Sequence, residues 1–315
     1  MVSNDYYDDI YPAVARVLYE DGKLEEADSL ALQVTNKRRE LLGLDHPDTL
    51  WAMSHLAVTH QILGRYTEAE KLHIQVVDKQ QKLLGPDHPD TLWSMAHLAI
   101  SHRNIGQYPE AEALEIEVMN KRKELLGLDH PDTLWAMANL AVTYQNLGRY
   151  PEAETLQMQV MNKREKLLGP DHPETLRAMA HLAVTHLNLG RYAEAEALEI
   201  QVMDKQKKLL GPGHPDTLKS MSNLATICVH LNRLAEAQIL LVFVIEKRMD
   251  ILGPSHRYTQ DSIKALHHLR ILALKSNGST NDIKPVKSTV SGHMHRLLQA
   301  FKKIPTLRNC IKICR

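Results

Sequence analysis

Apolar residues recur along this chain with the spacing of one face of an α-helix, at steps of three and four. One such stripe lies between residues 49 and 63 and a second between about 67 and 82, with polar residues at most other positions. The first stripe consists of Leu50, Met53, Leu56 and Ala57, and the second of Ala69, Leu72, Val76 and Val77. The pattern predicts two amphipathic helices in succession, a helix hairpin.

The same pattern returns every 42 residues without insertion or deletion. The repeats are marked by Gly43, Gly85, Gly127, Gly169, Gly211 and Gly253. A hairpin of this size cannot bury its apolar face alone, so successive hairpins are expected to stack. The strict period predicts that each hairpin contacts the next in the same way.

The predicted helix boundaries carry terminal signals. Pro47 suits a first helical turn, with Asp45 or His46 as the N-cap and Asp48 near the positive end of the helix dipole. Gly64 separates the two helices of the hairpin, and Gly85 ends the second one. Each repeat is therefore predicted to hold two helices with a short turn between them.

The predicted array covers residues 1–274, and its two ends depart from the pattern. Its units are about 5–43, 44–85, 86–127, 128–169, 170–211 and 212–253, followed by a cap at 254–274. Pro12 stands where later repeats have a helix interior, so the first helix is predicted to be short. Arg257 and Gln260 replace the loop proline and the following leucine, and Thr259–Leu274 is predicted to be a capping helix.

The repeats resemble known families. Ala57 and Ala69, twelve residues apart among larger apolar residues, resemble the tetratricopeptide pattern. The 42-residue period and the segment Gly148–Glu154 in the turn are similar to kinesin light chain repeats. The segments Ala136–Ala141 and Leu114–Met119 resemble the repeat tails of fungal NOD-like (STAND) proteins more closely still.

This resemblance implies an all-α fold, a right-handed α-solenoid of about six tetratricopeptide hairpins and a C-terminal capping helix. It also implies that the first helix of each hairpin lines a concave surface. Residues carried over to that surface are Trp51, Trp93, Trp135, Arg177, Lys219, Val58, Ile100, Val142, Asn104, Asn146, Asn188 and Arg103. Kinesin light chains have asparagine at the position of Ser54. Any asparagine contact with a peptide backbone would therefore have to come from Asn104, Asn146 and Asn188.

All three tryptophans of the chain occupy one repeat position in consecutive units. Followed by Arg177 and Lys219, they predict a groove for a peptide with apolar anchors and an acidic portion, because Trp and Arg are common binding hot spots. The alternative is that the indoles pack between neighbouring helices.

Residues that could carry chemistry do not form a recognisable site in the sequence. His46 and its equivalents recur once per unit, too far apart for one metal ion. No phosphate loop, dinucleotide fingerprint or nucleophile elbow is present. We expect no catalytic residues, metal, cofactor or small-molecule substrate, and an enzyme stays only a remote alternative.

Residues 275–315 form a basic tail with nine Lys and Arg and one Asp, on a body that is acidic. Residues 276–282 have the composition of a flexible linker, and about 292–304 predict a short amphipathic helix containing Met294 and Phe301. That helix could contact a membrane or an acidic partner, while interleaved aromatics for nucleic acid are lacking. Cys310 and Cys314 could be acylated or idle.

The sequence therefore predicts a cytoplasmic protein-interaction scaffold that binds a partner protein or peptide in the groove. A sensor module of a STAND-like protein is one form of this role, and a kinesin light chain-like cargo adaptor is the alternative. The absence of a signal peptide, of a transmembrane segment and of a disulfide framework favours the cytoplasm.

Overall fold

The computed structural model describes residues 24–254 and 256–277, and every regular element within them is an α-helix. The helices are α1 (Leu24–Leu42), α2 (Pro47–Ile62), α3 (Tyr66–Leu83), α4 (Pro89–Asn104), α5 (Tyr108–Leu126), α6 (Pro131–Asn146), α7 (Tyr150–Leu168), α8 (Pro173–Asn188), α9 (Tyr192–Leu210), α10 (Pro215–His230), α11 (Leu234–Leu252) and α12 (Arg257–Asn277). The predicted all-α repeat of helix hairpins is confirmed. The short helix at Pro12, the amphipathic segment 292–304, Cys310 and Cys314 lie outside the described residues.

The chain divides into two compact units with the boundary between Lys163 and Arg164. In the first unit each helix from α1 to α6 packs against the next, and α2, α4 and α6 also contact one another in sequence. In the second unit α8 to α12 pack in the same consecutive manner, with α8 touching α10. The first helices of successive hairpins therefore lie side by side within each unit.

Small residues allow the two helices of a hairpin to approach closely. Ala57 of α2 and Ala69 of α3 are fully buried, and Leu50, Met53 and Val76 form an apolar cluster beside them. The same positions are buried in later repeats, which is why one apolar pattern serves every hairpin. The alanine signature that carried the family resemblance is thus a helix-packing contact.

The helix ends follow the sequence signals. His46 is the N-cap of α2, where its Nδ1 accepts a hydrogen bond of 3.2 Å from the Asp48 backbone N–H. Five equivalent histidines cap their helices identically, namely His88, His130, His172, His214 and His256. The recurring histidine of the loop is thereby explained as a cap.

The turn within each hairpin requires a left-handed residue. Gly64 has a φ of 77°, and the Arg65 N–H beyond it donates to the His60 carbonyl at 2.8 Å. Asn232 holds the same turn in the last hairpin with a φ of 57°. Asparagine tolerates this conformation better than other residues with a side chain, so the turn survives the loss of glycine.

A buried arginine ties one hairpin to the next. Arg38 of α1 donates to the Asp48 carbonyl at the start of α2 at 3.1 Å, and Arg122 reaches the Asp132 carbonyl at 3.2 Å in the same way. Arg164 and Arg248 make the corresponding bonds in the second unit. The contact joins successive hairpins wherever arginine occupies this position, which Gln80 and Gln206 take in two repeats.

Candidate functional site

Aromatic rings from three hairpins form a continuous row in the first unit. Trp51 and His55 are one turn apart on α2, Trp93 and His97 have the same spacing on α4, and Trp135 is on α6. Successive ring centroids along this row are separated by 4.0, 5.2, 4.1 and 5.7 Å. We refer to these five residues as the tryptophan–histidine ladder.

The indoles of the ladder are half-buried, so each of them both packs against neighbours and keeps part of its surface exposed. The Arg38 guanidinium lies 5.1 Å from the Trp51 ring centroid, and the Arg122 guanidinium lies 5.4 Å from that of Trp135. The ring and guanidinium contacts show that the indoles pack against neighbouring side chains, and the predicted groove stays a prediction.

The histidines are the ladder residues that sequence reasoning missed. The four-residue spacing between Trp51 and His55 could have indicated their contact, because residues four apart share one helix face. Only the tertiary structure shows that the His55 ring centroid also lies 5.2 Å from that of Trp93 in the next hairpin.

The remaining predicted residues of the first unit are three apolar residues, two asparagines and Arg103. Val58, Ile100 and Val142 are half-buried, each about two turns beyond the tryptophan of its helix, on α2, α4 and α6. Asn104 and Asn146 are exposed as the last residues of their helices. The apolar residues thus extend the ladder, while the asparagines lie at its edge.

Arg103 points into the protein, with a side chain only 12% exposed. It forms a 2.8 Å ion pair with Glu115 of α5, and it also donates to the Asn139 carbonyl of α6 at 3.2 Å. These contacts leave little of the guanidinium for a partner, although the sequence pattern had placed Arg103 on the binding surface.

In the second unit the predicted basic pair borders one cavity. Arg177 and Lys219 are exposed and line a cleft of about 340 Å³ together with Leu176 and Ala180. Arg177 is paired with Glu174 at 2.6 Å. Asn188 is exposed at the C-terminal end of α8, as the other two asparagines are on their helices. Asp171 and Asp216 also line the cleft, so its border carries carboxylates as well as the two cations.

Three histidines lie in or beside the ladder: His55 and His97 are half-buried members of it, and His73 is fully buried next to His97. Burial lowers the pKa of His55 to about 4, that of His73 to about 4 and that of His97 to about 3. The His73 ring on α3 stacks on His97 at 5.9 Å, and neither of its nitrogens has a hydrogen-bond partner. Arg38 and Arg122 add repulsion toward protonated His55 and His97, respectively. The cluster is therefore built for neutral imidazoles.

Replacing His73 with leucine is expected to protect the first unit against acid. His73 has an ordinary pKa of 6.5 and a folded pKa of about 4, so its contribution to stability is present above pH 6.5 and is lost as pH falls toward 4. Removing the imidazole should raise the free energy of unfolding at pH 4.5 relative to the wild type, by about 2–3 kcal/mol more than it does at pH 7.5. Denaturant unfolding at both pH values measures the difference.

The control is His267→Leu, which changes an exposed histidine of α12. It should leave the pH dependence of unfolding as it is in the wild type. A His73→Leu effect of equal size at the two pH values would contradict the assignment of acid sensitivity to this ring.

Two further kinds of feature are absent from the described residues, namely a metal-binding cluster and a membrane-spanning helix. Among the described residues, no three His, Cys, Asp or Glu side chains are arranged to hold a metal ion. No helix within residues 24–277 combines the length and the apolar character needed to span a bilayer.

Family models described as tetratricopeptide repeat match residues 13–48, 52–124, 133–174 and 175–216, more than half of the chain. No curated protein matches the chain in sequence.

Solved structures are similar to this chain. A candidate kinesin light chain of Podospora anserina with nearly identical TPR-like repeats is 34% identical, with a TM-score of 0.56 over 65% of this chain and 97% of its own. BtubC (BKLC) from P. vanneervenii is 16% identical, with a TM-score of 0.54 over 84% of this chain and 96% of its own. NprR in complex with its cognate peptide NprX is 13% identical, with a TM-score of 0.60 over 97% of this chain and 79% of its own. The last two similarities establish shared fold only.

Proposed function

Because the chain belongs to the tetratricopeptide repeat family, we propose that it is a non-enzymatic, cytoplasmic scaffold whose first helices bind a peptide segment of a partner protein. The observation that carries this proposal is the tryptophan–histidine ladder, which keeps three half-buried indoles in a row across α2, α4 and α6. Large aromatic side chains on a rigid support are the residues from which binding hot spots are built.

The surface chemistry indicates the kind of peptide. The ladder, with Val58, Ile100 and Val142 next to it, offers an apolar strip for apolar side chains. In the second unit, Arg177 and Lys219 suit an acidic residue placed beside them, at a cleft that Asp171 and Asp216 also line. The exposed Asn104, Asn146 and Asn188 can hydrogen-bond the peptide backbone.

The structural relatives support a binding role without naming a partner. NprR is a protein of the same fold that is seen with a cognate peptide. The 34% identity to the Podospora repeats favours a kinesin light chain-like cargo adaptor as the second candidate. A sensor module of a STAND-like protein rests on the resemblance of the repeats in sequence.

A peptide selection tests the proposal directly. A random peptide library is selected against the full chain, and affinities are measured for the wild type and for Trp93→Ala/Trp135→Ala. We expect the double variant to bind the selected peptides at least about thirtyfold more weakly, because truncating a hot spot costs about 2 kcal/mol or more.

The matched control is Leu83→Ala/Leu125→Ala, which removes two apolar side chains of the first unit that are 52% and 54% exposed and lie outside the ladder. Circular dichroism verifies that both double variants keep their helices. Failure to select any peptide, or equal affinity for wild type and ladder variant, would refute the proposed binding surface.

A further inference from the structure

A small cleft opens between the first two tryptophans of the ladder. It has a volume of about 150 Å³ and is lined by Trp51, Trp93, the Asp90 carboxylate, Gln80 and Ser94, among others. This volume is well below the roughly 300–1,000 Å³ of sites that hold whole small molecules. It is suited to the head group of one side chain.

In the repeat before Trp93 and in the repeat after it, an arginine of the chain lies over the corresponding indole. Arg38 lies over Trp51 and Arg122 lies over Trp135, both from the helix that precedes the tryptophan. The equivalent residue before Trp93 is Gln80. Within the described part of the chain, Trp93 is thus the one indole whose preceding helix offers an amide in place of a guanidinium.

The amide of Gln80 is not satisfied by the protein. Gln80 is 4% exposed, and its Oε1 is buried without a hydrogen-bond partner. In the second unit, the equivalent Gln206 accepts a 2.9 Å hydrogen bond from Ser220. Ser94, the counterpart of Ser220, pairs instead with Ser54 of the neighbouring hairpin at 3.1 Å. A buried acceptor without a partner therefore belongs to a residue that lines the cleft.

We propose that this cleft binds a cationic side chain, the guanidinium or ammonium group of an Arg or Lys in the bound peptide. The inference rests on the proposed peptide-binding function and specifies one residue class of the ligand. The two indoles offer cation–π contacts, and Asp90 and Gln80 offer a carboxylate and a carbonyl acceptor.

Charge around the cleft favours the same occupant. Residues 24–163 contain 20 Asp and Glu against 13 Lys and Arg. The Asp90 side chain is 60% exposed, and the N-cap His88 lies 3.7 Å from it as an ion-pair partner. The Arg38 guanidinium, which lies over Trp51, donates a hydrogen bond to the Asp48 carbonyl. The negative charge of the Asp48 side chain offsets the positive charge of Arg38.

The test uses N-acetyl-arginine amide as the probe and N-acetyl-citrulline amide as its neutral analogue of the same shape. Because the chain contains three tryptophans, a spectrum of the ¹⁵N-labelled indoles of the full chain has three signals, assigned with Trp→Phe variants. We expect the arginine probe to shift the Trp51 and Trp93 signals, leaving Trp135 in place, and to bind at least about fivefold more tightly than the citrulline analogue, the equivalent of about 1 kcal/mol.

Two variants sharpen the result. Gln80→Arg/Ser94→Ala copies the Arg and Ala found at these positions in both flanking repeats, and its own guanidinium should abolish the probe response. Asp90→Asn changes an exposed carboxylate without altering the core and should weaken binding of the arginine probe about fivefold. An equal response to both probes, a response at Trp135, or an undiminished response in Asp90→Asn would overturn the inference.

The outcomes separate this cleft from the peptide-binding proposal. Peptides that depend on the ladder, together with no arginine response, would remove the cation site and leave the proposed function intact. A response of Trp51 and Trp93 to the arginine probe, together with a failure to select any peptide, would support the cation site and refute the proposed peptide-binding function.

Discussion

Replacing Arg103 with leucine is expected to lower the free energy of unfolding of the first unit by about 3–5 kcal/mol, the cost of breaking a buried ion pair. The Arg103 and Glu115 side chains are only 12% and 3% exposed. Burial raises the pKa of Glu115 against the opposing effect of Arg103, and its second oxygen has no hydrogen-bond partner. Without Arg103, an uncompensated carboxyl group would remain in the interior.

The double variant Arg103→Leu/Glu115→Leu is the decisive control. The last hairpin has Val229 and Leu241 at the same two repeat positions, where Leu241 is buried in an apolar cluster. The fold thus accepts an apolar pair, and the double variant should recover most of the loss. Hydrogen exchange of α5 and α6 amides, combined with denaturant unfolding, localises the effect. A double variant as unstable as Arg103→Leu would contradict this account.

Replacing Glu199 with glutamine is expected to stabilise the second unit increasingly as pH rises. Glu199 is fully buried on α9, and this burial raises the pKa of its carboxyl group from 4.5 to about 8. Above pH 4.5 the unfolded chain releases this proton while the folded chain retains it, so wild-type stability falls between pH 4.5 and about 8 and then levels off. The loss is on the order of 4 kcal/mol at pH 8.

Glu199→Gln carries no such penalty, and Gln157 occupies the same repeat position in the preceding hairpin, so the amide fits. The stability difference between variant and wild type should grow from near zero at pH 4.5 to several kcal/mol at pH 8. Denaturant unfolding from pH 4.5 to 8.5 measures it. Glu194→Gln, at a 60% exposed site of the same helix, is the control. A difference that stays constant across this range would show that Glu199 is not the buried acid described.

These predictions concern one pair of repeat positions that changes chemistry from hairpin to hairpin. The five pairs are Gln61 and His73, Arg103 and Glu115, Gln145 and Gln157, Leu187 and Glu199, and Val229 and Leu241. Their second members are all buried. His73 and Glu199 are the buried ionisable residues whose pair position holds no opposite charge, so their burial lowers stability in acid and in base, respectively.

Helix positions, caps and turns were predictable from the sequence because they depend on contacts within a few residues. The apolar stripes predicted α2 and α3 to within two residues at each end, and His46 and Gly64 occupy the cap and turn that their types indicated. Proline, glycine and capping preferences act through local backbone geometry, which the order of residues specifies.

The surface of the first helices could be predicted only in part. The family resemblance placed Trp51, Val58 and Arg103 on one surface, yet Arg103 turns inward to Glu115. A long side chain near a helix boundary can point either way, and a buried carboxylate on the adjacent helix decided the direction.

The sequence by itself determined the repeat, its helices, caps and turns, because periodicity and local backbone preferences act within a single hairpin. Only the tertiary structure decided that His55 bridges Trp51 and Trp93, that the Gln80 amide oxygen is buried without a partner, and that Glu199 is fully buried. Those relations join residues of different helices, and their distances and burial arise only when the hairpins pack.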